Sequence, residues 1–215
     1  MSSQESRPSV RGRRPGGAVS GRDALLPVAT RFFSQNGYDG TSLRKIAAEA
    51  GVDMALVARL FGSKSDLWNA VLEHLLDKQR HHLEEISAIE HSFSINPAEG
   101  FRRFIRHLTA ISVEIPEFPS LLLNEAARGD ERLEYLLLHL VTPFRDSCLP
   151  VIRLAMEKGI IRSNQPSLTF ALMISAISLP LITPGLIDPD APQSTSLSSD
   201  IADEAIRLFV VSEHS

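Results

Sequence analysis

Cysteine, tyrosine and tryptophan are scarce in this chain of 215 residues, which holds one Cys, two Tyr and one Trp. A single cysteine, Cys148, cannot form a disulfide within the chain, and we expect it to be a buried thiol in a reducing, cytoplasmic setting. So few Tyr and Trp side chains argue against a platform on which single-stranded bases stack. Runs that alternate apolar and polar residues are also rare, so the sequence offers little evidence of strands.

Motifs of catalysis are missing as well. The sequence contains no Gly-rich phosphate loop, no nucleophile elbow and no paired carboxylates at a telling spacing, so we do not expect an enzyme. The N-terminal residues lack the apolar segment of a signal peptide.

Residues 163–187 carry no charge and are long enough to raise the question of a membrane span. Three prolines and the lack of flanking Lys or Arg favour a helix between the core and a partner chain instead.

The composition is that of a soluble globular protein, with 43% hydrophobic and 22% charged residues, and the length fits one large or two small domains. The charge is distributed unevenly. Residues 1–70 hold ten Lys and Arg against six Asp and Glu, whereas residues 71–215 hold twelve against twenty. A basic N-terminal part on an acidic body suits a module that faces DNA. Such an imbalance also arises by chance.

Residues 41–64 predict two short helices joined by a glycine turn. Thr41 or Ser42 can cap the first helix. Gly51 follows at the position where a helix commonly ends with a positive φ, and Asp53 is placed to cap a second helix, which runs to about residue 60. The buried face of the first helix would consist of four apolar residues at helical spacing, Leu43, Ile46, Ala47 and Ala50.

The second helix of this pair offers a thin outer face, formed by Met54, Ala55, Ala58 and Arg59. Such a face fits a DNA major groove about 12 Å wide. Met54 and Ala55 would face base edges, and Arg59 can pair bidentately with guanine. The other residues expected to contact DNA, chiefly at phosphates, are Thr41, Ser42, Arg44, Lys64 and Tyr38. The alternative is an ordinary helical hairpin within a core.

The first 20 residues are rich in Ser, Pro, Gly and Arg and predict a disordered basic arm. Arg13 and Arg14 would reach the minor groove beside the major-groove helix. A solvated tail that does not bind DNA fits this composition equally well.

Further helices are predicted for residues 22–36, 65–90, 97–115, 120–127, 131–158 and 201–211. Pro27 suggests that the first of them begins near Leu26. Pro143 and Pro150 should bend or break the helix that contains them.

Three histidines fall in one predicted helix, namely His74, His81 and His82, and His91 directly follows it; Glu84 and Glu85 lie near them. His81 and Glu85 are one helical turn apart and could share a metal ion. A metal site needs three or four converging ligands, however, and the spacing offers only a pair. We therefore predict a solvated polar face, with no metal and no cofactor.

Residues 21–71 resemble the DNA-binding domain of the TetR family of bacterial transcriptional repressors. The matching pieces are Phe32-Phe33, Asn36-Gly37-Tyr38, Thr41-Ser42, Ile46-Ala47, Ala50-Gly51-Val52 and Phe61-Gly62-Ser63-Lys64 with Leu67. One position departs from the family pattern, because Leu60 stands where the family usually carries an aromatic residue whose hydroxyl meets a phosphate. Arg59 is a candidate to compensate.

The resemblance implies an all-α protein with an N-terminal three-helix helix-turn-helix DNA-binding domain, residues 21–70, and a C-terminal helical ligand-binding and dimerisation domain, residues 71–215. It also implies a homodimer formed by the last two helices, a palindromic double-stranded operator and a repressor released by a small-molecule inducer. Candidate ligand-binding residues are Phe104, Leu108, Leu122, Glu125, His139, Phe144, Arg145 and Met173. The alternatives are a regulator that needs no ligand and a helical protein-interaction module with a vestigial helix-turn-helix.

Overall fold

The computed structural model describes residues 21–93, 95–187 and 196–211, and every regular element within them is helical. The α-helices are α1 (Gly21–Gly40), α2 (Leu43–Glu49), α3 (Met54–Phe61), α4 (Lys64–Ser92), α5 (Pro97–Glu114), α6 (Glu117–Ala126), α7 (Glu131–Leu136), α8 (Thr142–Glu157), α9 (Pro166–Ile182) and α10 (Leu197–Phe209). The all-α prediction is confirmed. The basic arm, with Arg13 and Arg14, lies outside the described residues.

Helix α1 contains Pro27 and is already helical at Gly21, so the predicted start near Leu26 is wrong. Pro27 is the seventh residue of the helix, beyond the first turn, so α1 accommodates a proline that removes one of its own i→i−4 hydrogen bonds. The helix is kinked at Gly37, whose φ of 67° and ψ of 177° are not helical. Glycine adopts a positive φ without the steric cost that a Cβ brings. The kink directs the next backbone N–H, that of Tyr38, away from the helix axis and towards α6.

Helices α2 and α3 form the predicted pair. Gly51 lies between them with φ 66°, and the Asp53 side chain accepts a hydrogen bond of 2.6 Å from the backbone N–H of Leu56. This cap satisfies a donor that a helix N-terminus otherwise leaves unpaired. Ile46 and Val57 are buried where the two helices face α1 and α4. The predicted helix-turn-helix geometry is thus present.

The longest helix, α4, begins with a capping box at Ser63 and Asp66 and passes from the helix-turn-helix into the C-terminal helices. Phe33, Trp68 and Tyr38 join α1 to it through aromatic contacts, with ring centroids 5.1 Å apart for Phe33 and Trp68 and 5.5 Å apart for Tyr38 and Trp68. Edge-to-face arrangements of this kind favour a rigid junction.

The two prolines between α7 and the end of α8 have different effects. A π-helical turn, Leu137–Val141, precedes Pro143, so the helix is interrupted there as predicted. Pro150 lies inside α8 without ending it, so the helix does not break at that residue. Helix α6 also begins earlier than predicted, at Glu117, with Pro119 in its first turn.

Helix α9 buries one side and exposes the other. Phe170, Met173 and Ile177 are buried, whereas the Leu172 side chain is 55% exposed and Leu208 of the neighbouring α10 is 70% exposed. Within the described residues, no helix combines the length and hydropathy that crossing a bilayer would require.

Candidate DNA-binding surface and ligand cavity

The outer face of α3 is the first candidate site. Met54 is 38% exposed, and Ala55, Ala58 and Arg59 are exposed beside it. Val57 and Phe61 are buried on the opposite side and hold the helix against the core. Small residues beside one arginine leave a narrow ridge that can enter a major groove, with a guanidinium able to bond base edges.

Exposed cationic side chains occur on α1 and α2, the helices that contact α3. Arg44 and Lys45 are exposed on α2. Arg22, which the sequence did not single out, is exposed on α1, and its guanidinium carbon lies 5.0 Å from the centre of the Phe61 ring at the end of α3. Its spacing from α3 in the sequence carries no signal, because only the folded chain brings the two together. These side chains offer positive charge where a phosphate backbone would pass.

Thr41 does not fit its predicted phosphate contact. Its side chain is only 4% exposed, and its hydroxyl donates to the backbone carbonyls of Gly37, at 2.8 Å, and Phe32, at 3.0 Å. These carbonyls lie near the kink of α1, so the threonine stabilises the turn between α1 and α2. Ser42 is the N-cap residue of α2, but its side chain makes no capping hydrogen bond and stays partly exposed.

Lys64 lies at the N-terminus of α4, where a phosphate contact was predicted. Its ammonium group is 4.7 Å from the centre of the Tyr38 ring and donates to the carbonyl of Asp39 at 3.3 Å. Partial burial lowers the pKa of Lys64, and the positive charges of Arg132 and Arg128 act in the same direction while Asp39 opposes them. The Asp66 carboxylate already accepts the Ser63 N–H at 2.9 Å. An incoming phosphate would therefore meet a negative charge at this terminus.

Glu125 was predicted to be a polar group of the ligand pocket, and the structure places it elsewhere. It is fully buried, and its carboxylate accepts the backbone N–H of Tyr38 at 3.0 Å and the Arg132 Nε–H at 3.2 Å. Asn124 also donates to the carbonyl of Ser34, at 2.6 Å. Helix α6 is thus hydrogen-bonded to α1 on both sides of the kink at Gly37.

Charged side chains reinforce this contact between α6 and α1. Arg128 pairs with Asp39, and the Arg132 guanidinium lies 4.5 Å from the centre of the Tyr38 ring. We call these residues, Tyr38, Asp39, Glu125, Arg128 and Arg132, the α1–α6 junction. Buried, charge-assisted hydrogen bonds are stronger than neutral ones, so this junction ties the helix-turn-helix to the C-terminal helices.

An apolar cavity of about 170 Å³ lies among α4, α5, α6, α8 and α9. Its polar lining is limited to one amide and three hydroxyls, from Gln79, Ser112, Ser175 and Ser178, and the described residues give it no ionisable wall group. Ser112 donates to the carbonyl of Leu108 at 3.0 Å, so the 2.9 Å contact with Ser178 is a hydrogen bond donated by Ser178.

The predicted ligand-binding residues divide between the cavity and other places. Leu122 and Phe144 line the cavity. Phe104, Leu108 and Met173 are fully buried core residues outside its lining. His139 is exposed and its ring centre is 4.1 Å from that of Tyr135, while Arg145 pairs with Asp146 at 2.8 Å. Periodicity marks a residue as inward-facing, but it does not tell which inward-facing residues border empty space.

The histidines of α4 do not share one solvated face, contrary to the prediction. His81 and His91 are exposed, but His82 is 4% exposed and lies against α5. His107 of α5, which the sequence had not connected with them, has its ring centre 5.3 Å from that of His82.

The fold and these surfaces define a helix-turn-helix protein with a C-terminal helical bundle. The sequence profile described as bacterial regulatory proteins, tetR family, matches residues 25–71. This stretch, which contains α2 and α3, is therefore similar to the TetR family of bacterial regulatory proteins.

Two transcriptional regulators and one solved structure are similar to this chain. The HTH-type transcriptional regulator RutR of Escherichia coli (strain K12) is 31% identical over 118 residues, which are 55% of this chain and 53% of RutR. The match therefore spans about half the length of that relative. The HTH-type transcriptional repressor NicS of Pseudomonas putida (strain KT2440) is 26% identical over 162 residues, 73% of each chain. Among solved structures, AibR in complex with isovaleryl coenzyme A and operator DNA has a TM-score of 0.68 at 21% identity, covering 88% of this chain and 98% of AibR.

Proposed function

We propose that this protein is a homodimeric DNA-binding transcriptional repressor that a small molecule releases from its operator. The observation that carries the proposal is the outward ridge of α3, capped by Asp53 and flanked by Arg22, Arg44 and Lys45. In this proposal residues 21–70 bind the major groove, and residues 71–215 bind the ligand and dimerise. Arg59 reads a base pair, and Met54 and Ala55 contact base edges.

A second copy of the chain is the expected partner for the exposed sides of α9 and α10. A single α3, about two turns long, contacts too few base pairs to discriminate strongly between DNA sequences. A twofold dimer instead places two copies of α3 in successive major grooves about 34–36 Å apart. Leu172 and Leu208 would lose their exposure in such an interface. An operator with two inverted half-sites follows from the twofold symmetry.

The ligand that we propose for the cavity is small, apolar and uncharged in the part that enters it. The lining offers one amide and a few hydroxyls for orientation, and no charge among the described residues to compensate a buried ion. An apolar cavity of about 150 Å³ is known to hold a benzene-sized molecule, so a short acyl chain or a single ring matches the space. The isovaleryl coenzyme A named with AibR contains a short branched acyl group of this kind.

Helix α6 is the element that we expect to transmit ligand binding. Leu122 borders the cavity, and Glu125, less than one turn further, holds α1 through the N–H of Tyr38. A ligand that displaces Leu122 would therefore shift the α1–α6 junction and with it the orientation of α3. Such a ligand acts only if it binds the two orientations with different affinity.

Selection from a pool of random double-stranded DNA tests the central proposal. We expect enrichment of an inverted repeat whose half-sites are about one helical turn apart, with binding that weakens as salt concentration rises. A pool that shows no sequence enrichment, although the protein is folded, would contradict the proposal. The double variant Arg44→Ala/Arg59→Ala, put through the same selection, removes two cations of the proposed DNA-binding surface. The matched control Arg153→Ala removes an exposed arginine of α8 instead.

A further inference from the structure

The contact between α4 and α5 contains a cluster of two histidines and one glutamate. One ligand atom each from His82, Glu85 and His107 lie within 4.8 Å of one another. His82 and Glu85 are one turn apart on α4, and His107 faces them from α5. The carboxylate of Glu85 is 3.0 Å from Nδ1 of His107.

His82 is the least expected member of the cluster. It is 4% exposed, and neither ring nitrogen has a hydrogen-bond partner among the described residues. Its Nε2 lies 3.4 Å from a carboxylate oxygen of Glu114, close enough for an ion pair but without the geometry of a hydrogen bond. An imidazole that is buried without a partner costs free energy, so a group that binds its nitrogen would remove a penalty already present in the fold.

His107 is oriented as a metal ligand usually is. Its Nε2 lies 3.3 Å from the backbone carbonyl of His82, and because a carbonyl only accepts, this nitrogen carries the proton. Such a bond from the second ring nitrogen fixes the tautomer of a ligating histidine. In the neutral ring the lone pair of Nδ1 faces the Glu85 carboxylate 3.0 Å away, and the repulsion between these two acceptors is removed by a proton or by a metal ion that both atoms bind.

We propose that His82, Glu85 and His107 form a binding site for a divalent transition-metal ion of the Zn²⁺ class, which links α4 to α5. Two imidazoles and a carboxylate match the ligands of Zn²⁺, whereas Mg²⁺ and Ca²⁺ prefer oxygen alone. Tetrahedral Zn²⁺ places its ligand atoms about 3.4 Å apart. Glu85 is exposed, so its side chain can turn towards a metal ion that the two imidazoles hold. Glu114, beside His82, is placed to approach the fourth position.

Zinc titration of the full chain without an affinity tag, stripped of metal with a chelator, tests this site. We expect one Zn²⁺ per chain by calorimetry and a higher melting temperature with Zn²⁺ but not with Mg²⁺. Glu85→Gln and His107→Gln should each weaken Zn²⁺ binding at least tenfold. The matched control His91→Gln removes an exposed histidine of the same helix and should bind Zn²⁺ as the wild type does.

Spectra of the imidazole ¹⁵N nuclei identify the ligands without any substitution. Saturating Zn²⁺ should shift the ring signals of His82 and His107 and leave those of His74 and His91 unchanged. Shifts spread over all exposed histidines, or equal losses in His91→Gln and His107→Gln, would mean adventitious surface binding and would overturn the proposal. Absence of any zinc-dependent stabilisation in the folded wild type would overturn it as well. DNA binding is a separate readout, so failure of the metal site leaves the proposed repressor function untouched.

Discussion

The carboxylate of Glu125 accepts the backbone N–H of Tyr38 at 3.0 Å, across 87 residues of sequence. The Tyr38 N–H is available because Gly37 breaks the helical pattern just before it. Asn124 of the same helix and Arg128, two residues beyond its end, add further bonds to α1. The α1–α6 junction is therefore the contact through which a movement of the C-terminal helices would move the helix-turn-helix.

Removing the charge of Glu125 should loosen this junction. Because the buried carboxylate accepts bonds from Tyr38 and Arg132, we expect Glu125→Gln to lower the free energy of unfolding by about 1–3 kcal/mol. Urea denaturation followed by circular dichroism measures the change. Glu131→Gln, at an exposed glutamate of α7, is the control and should be neutral. Equal stability of the two variants would show that the junction contributes nothing.

Arg59→Ala should remove sequence preference more than general affinity. A bidentate contact to guanine contributes about 1–3 kcal/mol of discrimination, so binding to the selected site should weaken about tenfold or more while binding to random DNA changes little. Fluorescence anisotropy with both DNAs at two salt concentrations measures this. If the variant weakens both DNAs equally, Arg59 contacts only phosphate. Arg153→Ala should change neither.

A charge in the exposed side of α9 should separate the proposed dimer. Leu172 is 55% exposed, and a glutamate there would be buried without a partner in an interface. We expect sedimentation velocity to show monomers for Leu172→Glu at concentrations where the wild type is dimeric. The control Leu138→Glu alters a leucine of similar exposure in the π-helical turn and should remain dimeric. A dimeric Leu172→Glu would place the interface on another face.

Filling the cavity should abolish ligand binding without unfolding the protein. Ile174 borders the cavity, and the larger side chain in Ile174→Trp can occupy its empty space instead of displacing core residues. Toluene, a neutral single ring, should bind the wild type in a calorimetric titration and bind this variant at least tenfold more weakly. Val113→Trp, at an exposed residue of α5, serves as the control. Unchanged toluene binding in Ile174→Trp, with its melting temperature preserved, would exclude this cavity as the site.

The buried thiol of Cys148 makes a specific contribution to the pH dependence of stability. Burial raises its pKa above the ordinary value of 9.0. The unfolded chain therefore loses the thiol proton at a lower pH than the folded chain. The contribution of Cys148 to the free energy of unfolding is complete below about pH 9 and falls by about 1.4 kcal/mol per pH unit above it. The difference in unfolding free energy between wild type and Cys148→Ala, measured from pH 8 to about pH 11, isolates this slope. A constant difference would contradict the buried, neutral thiol.

Local order was predictable from the sequence because its causes lie within a few residues. Asp53 caps the helix that begins at the next residue, and Gly51 adopts its positive φ in a turn that its own lack of a Cβ favours. The outward face of α3 follows from the 3.6-residue period alone. The sequence was less reliable at prolines, because Pro27 and Pro150 both lie inside helices that continue past them.

Only the tertiary structure decided which inward-facing groups meet. Thr41 turned out to bond the carbonyls of α1 instead of facing outward, Glu125 reached Tyr38, and Leu122 rather than Leu108 bordered the cavity. His82 and His107, separated by 25 residues, came together in the same way. Helical periodicity tells how a residue is oriented about its own axis. Which other helix it faces depends on the packing of the whole bundle, and no local pattern encodes that.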